Sequence, residues 1–252
     1  MSTVFMKKRV RALLISFVMV SCGLSTYFCD VLYVADDEID FLDDAYYEAP
    51  REEDAVNDPF EGINRVVFTF NDYAFLWILN PIATEYSQLI PSAIRGSVAN
   101  FFYNLQEPVR IINTLLQSRF SDTGTLLARF AVNSLGGVAG LGDPATLLGL
   151  QKTEARFGQT LATWGVPDGI FLVVPVIGPT TLRDFSGRLV DGCSLSYLFY
   201  WTAGQEDLNN IVAGKYVNNL SLHLGEYEQM KEMSVDPYAA LRDGFYQHRK
   251  HR

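Results

Sequence analysis

DPFEGINRVVFTFNDYAFLWIL, residues 58–79, opens like a helix and ends apolar on every side. Asp58 stands where an N-cap carboxylate accepts free amide hydrogens, Pro59 suits the first helical position, and Glu61 at the third completes a capping box. Phe60, Ile63, Val67, Phe70 and Ala74 then form one helical stripe. Phe68, Phe75, Leu76, Ile78 and Leu79 lie elsewhere around the axis, so the C-terminal half lacks a polar face. A helix of that kind is either deeply buried or set in lipid. Asn80-Pro81 is expected to stop it, because proline has no amide hydrogen to give to the preceding turn.

The same period recurs downstream. Residues 91–104 carry Ile94, Val98, Phe101 and Phe102, residues 108–118 carry Val109, Ile112, Leu115 and Leu116, and residues 123–135 carry Leu126, Leu127, Phe130 and Leu135. Asp143-Pro144 and Asp236-Pro237 each begin a further helix, the latter through Tyr246. Residues 205–233 place Leu208, Ile211, Val212, Tyr216 and Leu220 at helical spacing. Gly and Pro punctuate the joints, and neither βαβ alternation nor a fixed-period repeat appears. One stretch suits no helix: residues 163–179 run apolar from Ile170 to Ile177, broken by Pro175 and closed by Gly or Pro at both ends. It reads as a hinged hairpin whose apolar face meets something other than an ordinary core, or else as a buried edge strand with a proline bulge. The class is all-α, with one apolar hairpin insertion.

The N-terminus reads as an export signal. Lys7, Lys8, Arg9 and Arg11 precede the apolar residues 12–20, which lead to Ser21-Cys22-Gly23. Cys22 after a small residue resembles a bacterial lipobox, in which the cysteine is acylated, although Met19 stands where Leu is usual. An uncleaved anchor, continued brokenly through Tyr27-Phe28 and residues 31–34, and plain secretion after cleavage near Ser25 are the alternatives. The expected division is a signal at 1–22, a solvated, disordered tether at 23–56, a helical domain at 57–248 and a basic tail at 249–252. The tether accounts for the formal charge of −9, since residues 30–54 hold eleven acidic residues and one basic one, Arg51.

The chemistry of most enzymes is missing. No G-x-S-x-G elbow is present, since Gly96-Ser97 lacks its second glycine. His223 stands alone, and the other two histidines, His248 and His251, fall in the last five residues. No H-E-x-x-H, C-x-x-C, Walker or G-x-G-x-x-G motif occurs, so no metal or cofactor is expected. Glu154, Asp168 and Asp184 have no spacing that makes a carboxylate pair. No basic stripe exists to neutralise phosphates, which argues against nucleic acid. Cys29 and Cys193 could pair in an oxidising compartment, but their spacing implies no disulfide framework.

A collinear series of short motifs resembles the MlaA family, also called VacJ. Asp58-Pro59-Phe60-Glu61-Gly62-Ile63-Asn64-Arg65 leads into Phe68-Thr69-Phe70-Asn71, then Asn100-Phe101-Phe102-Tyr103-Asn104-Leu105-Gln106-Glu107-Pro108. Arg129-Phe130-Ala131-Val132-Asn133-Ser134, Phe157-Gly158-Gln159-Thr160-Leu161, Gly178-Pro179-Thr180-Thr181-Leu182-Arg183-Asp184 and Asp236-Pro237-Tyr238 follow in order. The resemblance implies a ring of amphipathic helices in the inner leaflet of the bacterial outer membrane, on its periplasmic side. An amphipathic channel through the ring would let phospholipid leave the outer leaflet, with a trimeric porin and a soluble periplasmic lipid carrier as partners. It makes Cys22 the acylated anchor, puts Phe70 and Asn71 in the helix segment that controls the channel, and makes Gly165, Pro167 and Gly169 the hairpin hinge. Pro167 and Asp168 depart from the glycine-rich sequence common there, and proline fixes its own φ.

The expectation is therefore a lipoprotein that removes mislocalised phospholipid and keeps the outer membrane asymmetric, without being an enzyme. A lipid-anchored scaffold on porins, without transport, is the alternative, and a lipid hydrolase a distant third. Polar residues on apolar elements, namely Asn71, Asn100, Asn104, Asn133 and Asp184, could line a lumen or serve as caps and loop bonds.

Overall fold

In the computed structural model the described residues are 58–203 and 205–250. The signal, Cys22, Cys29 and the acidic tether lie outside them. Helices α1 (Glu61–Ala74), α2 (Asn80–Leu89), α3 (Ser92–Leu116), α4 (Phe120–Gly136), α5 (Pro144–Leu147) and α6 (Phe157–Thr163) come first. Strands β1 (Phe171–Val174) and β2 (Gly178–Thr181) follow, then α7 (Leu182–Ala203), α8 (Gln205–Leu222), α9 (Glu226–Met233) and α10 (Pro237–Lys250).

Three sequence expectations about helix ends fail for instructive reasons. Asp58 does not cap α1, whose N-cap is Phe60 without a side-chain bond. Its carboxylate instead accepts from Asn64 Nδ2 at 2.9 Å and from the Tyr238 hydroxyl, tying the start of α1 to α10. Pro81 does not stop the first helix. A π turn at Phe75–Leu79, with Asn80 N–H bonded back to Phe75 O, re-registers the backbone. Pro81 then falls in the first turn of α2, where a missing amide hydrogen costs little. Nor does Pro108 divide residues 91–118 into two helices, because it sits inside α3 amid buried Asn104, Gln106, Glu107, Val109, Arg110 and Ile111. Tertiary packing on that face outweighs the one backbone bond proline removes.

The elements close into a circuit. α1 continues through the π turn into α2, α2 packs on α8, and α8 on α3. α3 packs on α6 and α7, α7 on β2, β2 pairs with β1, and β1 lies on α1. The fold is thus the expected ring-like helical bundle with one hairpin, with α4 set against α3, α5 against α4, and α10 against β2. Where α6 crosses α7, a Cβ on Gly187 would lie 2.2 Å from the Gly158 nitrogen, so only glycine allows this approach.

The hairpin is antiparallel, with Phe171 opposite Thr181 and Val174 opposite Gly178. Pro175 lies in the turn between the strands, where it removes no ladder bond. The buried face meets protein. Phe171 and Val173 join Tyr238 and Phe245, while Ile177 joins Ala83, Tyr216 and Leu220. By contrast, the run Glu61–Leu89 is long and apolar enough to cross a membrane by length and composition, and only 11% of its most apolar window is buried. Ile63, Val66, Tyr73, Ile82 and Leu89 face outward. The basic tail is also less separate than expected: α10 runs to Lys250, and Arg249 pairs with Asp168 and Asp184.

Candidate functional site

Between α3 and α8 lies a cavity of about 150 Å³ lined by Ala99, Asn100, Phe102, Tyr103, Gln106, Lys152, Lys215, Asn218 and Asn219. Two ammonium groups and four carboxamides line it, and no carboxylate does. Its walls are set by neighbours. Asn218 accepts from the Tyr86 hydroxyl at 2.9 Å and donates to the Arg95 carbonyl at 3.0 Å, fixing α8 against α2 and α3. The Arg110 guanidinium lies 3.7 Å from the centre of the Tyr103 ring, and Lys152 Nζ lies 4.8 Å from it. Arg110 also donates to the Tyr103 carbonyl at 2.8 Å and to Gln106 Oε1 at 2.7 Å. Burial pushes the Tyr103 hydroxyl well above the usual tyrosine range, so it stays protonated.

Behind the cavity the chain buries charge. Glu107 is fully buried between Arg110, 3.8 Å away, and Arg129, 3.6 Å away. Burial raises its carboxyl to about 7, against the pull of both guanidiniums. Arg129, also fully buried, reaches Asp143 with 2.9 and 3.1 Å bonds. Burial alone would raise Asp143, but hydrogen bonds from Thr146, Asn133 and Arg129 prevail and hold it at about 2. Asp143 also accepts from the Thr146 amide as N-cap of α5. This polar spine shares α3 with exposed Ile94, Ile112, Leu115 and Leu116, and α4 adds exposed Phe120, Leu127 and Leu135. An oxygen-rich anionic group suits the cavity, and hydrocarbon suits the outer surface.

The sequence-derived residues fall around the hairpin rather than the cavity. Phe70 is half-buried on α1. Asn71 donates to Val174 O at 3.0 Å and accepts from Val176 N at 2.8 Å, which grips the turn. Asn64, which sequence reasoning did not single out, does the same three residues earlier, on β1, through Phe171 O at 3.3 Å and Val173 N at 2.9 Å. Gly165 and Gly169 both have positive φ, 85° and 74°, and flank exposed Pro167. Of the residues considered for a lumen, Asn100 lines the cavity. Asn104 donates to Ser134, Asn133 bonds Asp143 and the Ala145 amide, and Asp184 pairs with Arg183 and Arg249. Tyr103 and Glu107 fall inside the Asn100–Pro108 motif but were not singled out, and Lys152 and Lys215 carry no motif-level signal, because only tertiary folding brings them to the cavity. His223 bonds the Glu226 carboxylate at 3.0 Å. Among the described residues no cluster of His, Cys, Asp or Glu could hold a metal ion.

Comparison with known proteins accords with this geometry. A family model described as MlaA lipoprotein matches residues 56–252. An uncharacterised protein of Rickettsia felis is 33% identical over 232 residues, covering 90% of this chain and 91% of that one. The intermembrane phospholipid transport system lipoprotein MlaA of Escherichia coli is 32% identical over 198 residues, 76% of each chain. A solved structure on the "structural basis for maintenance of bacterial outer membrane lipid asymmetry" superposes with a TM-score of 0.64 at 32% identity, covering 77% of this chain and 97% of that chain.

Proposed function

The chain belongs to the MlaA lipoprotein family, and from that premise we propose that it is an outer-membrane lipoprotein anchored through Cys22. In this reading it withdraws mislocalised phospholipid from the outer leaflet and releases it on the periplasmic side. A soluble carrier would receive the lipid, and a trimeric porin would hold the ring in the membrane. No bond is made or broken, so neither cofactor nor catalytic residue is called for. The observation that carries the reading is the opposition of two surfaces on α3: an amide- and lysine-lined cavity on one side, and exposed aliphatic side chains on the other. A phospholipid needs both kinds of surface along one route, a polar one for the headgroup and an apolar one for the acyl chains. The outward-facing run Glu61–Leu89 gives the ring a surface that hydrocarbon can cover.

The test is the amount of surface-exposed phospholipid in cells lacking the protein, with and without complementation. We expect a rise that the intact chain reverses and that a chain lacking Phe70 and Asn71 does not. That deletion turns everything after it by about 200° about the axis of α1 and removes the amide that grips the hairpin turn. An unchanged level in the deleted cells would favour the porin-bound scaffold instead.

A further inference from the structure

Residues 164–170, which join α6 to β1, are exposed or, at Asp168, half-exposed, so little apolar burial holds this loop in place. Asp168 gives it an attachment. Its Oδ1 pairs with Arg183 Nη2 on α7 at 2.6 Å and accepts from Arg249 Nη2 on α10 at 2.7 Å. Both arginines are also paired with Asp184, which lies outside the loop. Arg183 also reaches Val166 O at 3.0 Å and Asp184 Oδ1 at 3.3 Å. Arg249 reaches Asp184 Oδ2 at 2.9 Å and Thr181 Oγ1 at 3.2 Å, and its guanidinium lies 5.4 Å from the centre of the Phe245 ring. The guanidiniums are mostly covered, with side chains 11% and 19% exposed, whereas Asp168 is 46% exposed. One exposed carboxylate thus closes a bridge between two fixed cations on separate helices. Little side-chain entropy remains to be lost on the arginine side, which sets these pairs apart from ordinary surface ion pairs.

We propose that Asp168 is a positioning residue that latches the base of the hairpin to α7 and α10, and that opening this latch regulates the passage of phospholipid. Backbone bonds and the Arg183–Val166 O bond tie the loop to α6 and α7, the Asp168 carboxylate carries the tie to α10, and Pro167 gives the loop its fixed bend. Asp184 still faces both arginines if Asp168 is neutralised, so the loss is local rather than global. The regulatory half rests on the transport reading above; the latch itself does not.

Hydrogen exchange on the full chain tests the latch without reference to lipid. The amides to follow are Val166, Leu182 and Arg183, bonded to Leu161 O, Ile170 O and Asp168 O. Asp168→Asn is expected to speed their exchange by about three- to tenfold while leaving the amides of α3 unchanged. Asp168→Glu should restore protection, and Asp168→Asn combined with Arg249→Gln should be no faster than Asp168→Asn alone. Unchanged exchange in Asp168→Asn, or fully additive effects in the double variant, would overturn the latch. The regulatory half is read in cells where the intact chain clears surface phospholipid: Asp168→Asn is expected to change the clearance rate, and an unchanged rate alongside faster exchange overturns it. If the intact chain clears no lipid, the transport reading fails by itself and the exchange data still decide the latch.

Discussion

Asn64 and Asn71 stand seven residues apart on α1, about two helical turns, so both face β1. Each side-chain amide does for the strand what a neighbouring strand would do, giving one hydrogen to a carbonyl and taking one from an amide two residues on. An aspartate would lack the donor, and a leucine would leave both backbone groups without these partners, at Asn64 in a buried site. The lower clamp has an added task. Val176 holds φ of 70°, a left-handed conformation that a β-branched residue strongly disfavours, and its amide is the one Asn71 accepts from. Such strain costs about 1–3 kcal/mol and persists only where neighbours enforce it. Asn71→Ala is therefore expected to lower unfolding stability by about 1–2 kcal/mol. Adding Val176→Gly should recover part of the loss, because glycine accepts positive φ freely. Thermal unfolding of the purified chain and the two variants measures this, and an equal loss with and without Val176→Gly would mean that the strain is not what Asn71 opposes.

At the scale of elements, the helices were legible because their apolar residues recur at helical spacing, and α5 because Asp143-Pro144 caps it as written. What could not be read were decisions taken by distant parts of the chain. Asp58 has every local reason to cap α1, yet Tyr238 from α10 claims it. Pro81 and Pro108 look like stops, yet a π turn absorbs one and a buried helix face outvotes the other. Asn71 could be placed on an important helix, but its grip on Val174 and Val176 depends on a contact 103 to 105 residues away. Of the cavity only Asn100 was foreseen, since Lys152 and Lys215 are ordinary lysines until the fold brings them beside α3. The proposed hinge rests on two glycines. Gly165 and Gly169 hold φ of 85° and 74°, whereas proline fixes φ near −65°. Replacing both by proline must rebuild the hairpin base rather than merely stiffen it. The double variant is expected to lose clearance of surface phospholipid in complemented cells, while its α3 amides stay protected. Normal clearance would remove the hinge.

Across the whole molecule the two kinds of cohesion are segregated. Apolar clusters gather around the hairpin, where Phe171, Tyr238, Phe245, Ile177 and Leu220 meet. On the α3–α4–α5 side the largest fully buried side chain is Arg129, and Glu107 beside it is just as inaccessible. Two buried guanidiniums and a buried carboxylate hold that side, with Asp143 closing the network at its edge. Such an arrangement makes stability depend on pH in opposite senses. Asp143 is depressed to about 2, so its contribution is complete above the ordinary carboxylate range and disappears as pH falls towards 2. Glu107 is raised to about 7 from 4.5, so the folded chain holds a proton there that the unfolded chain releases. Folding is then most favoured below 4.5 as far as Glu107 is concerned, and stability falls as pH climbs from 4.5 to 7, by up to about 3 kcal/mol. Glu107→Gln removes that titration without stranding the cations, because Arg129 keeps Asp143 and Arg110 keeps Gln106 and the Tyr103 carbonyl. Denaturant unfolding of both chains between pH 5 and 8, in a non-ionic detergent, should show a declining slope in the wild-type chain and a flat one in the variant. Equal slopes would mean that Glu107 titrates as an ordinary carboxylate, and that this side of the ring rests on a permanently charged triad.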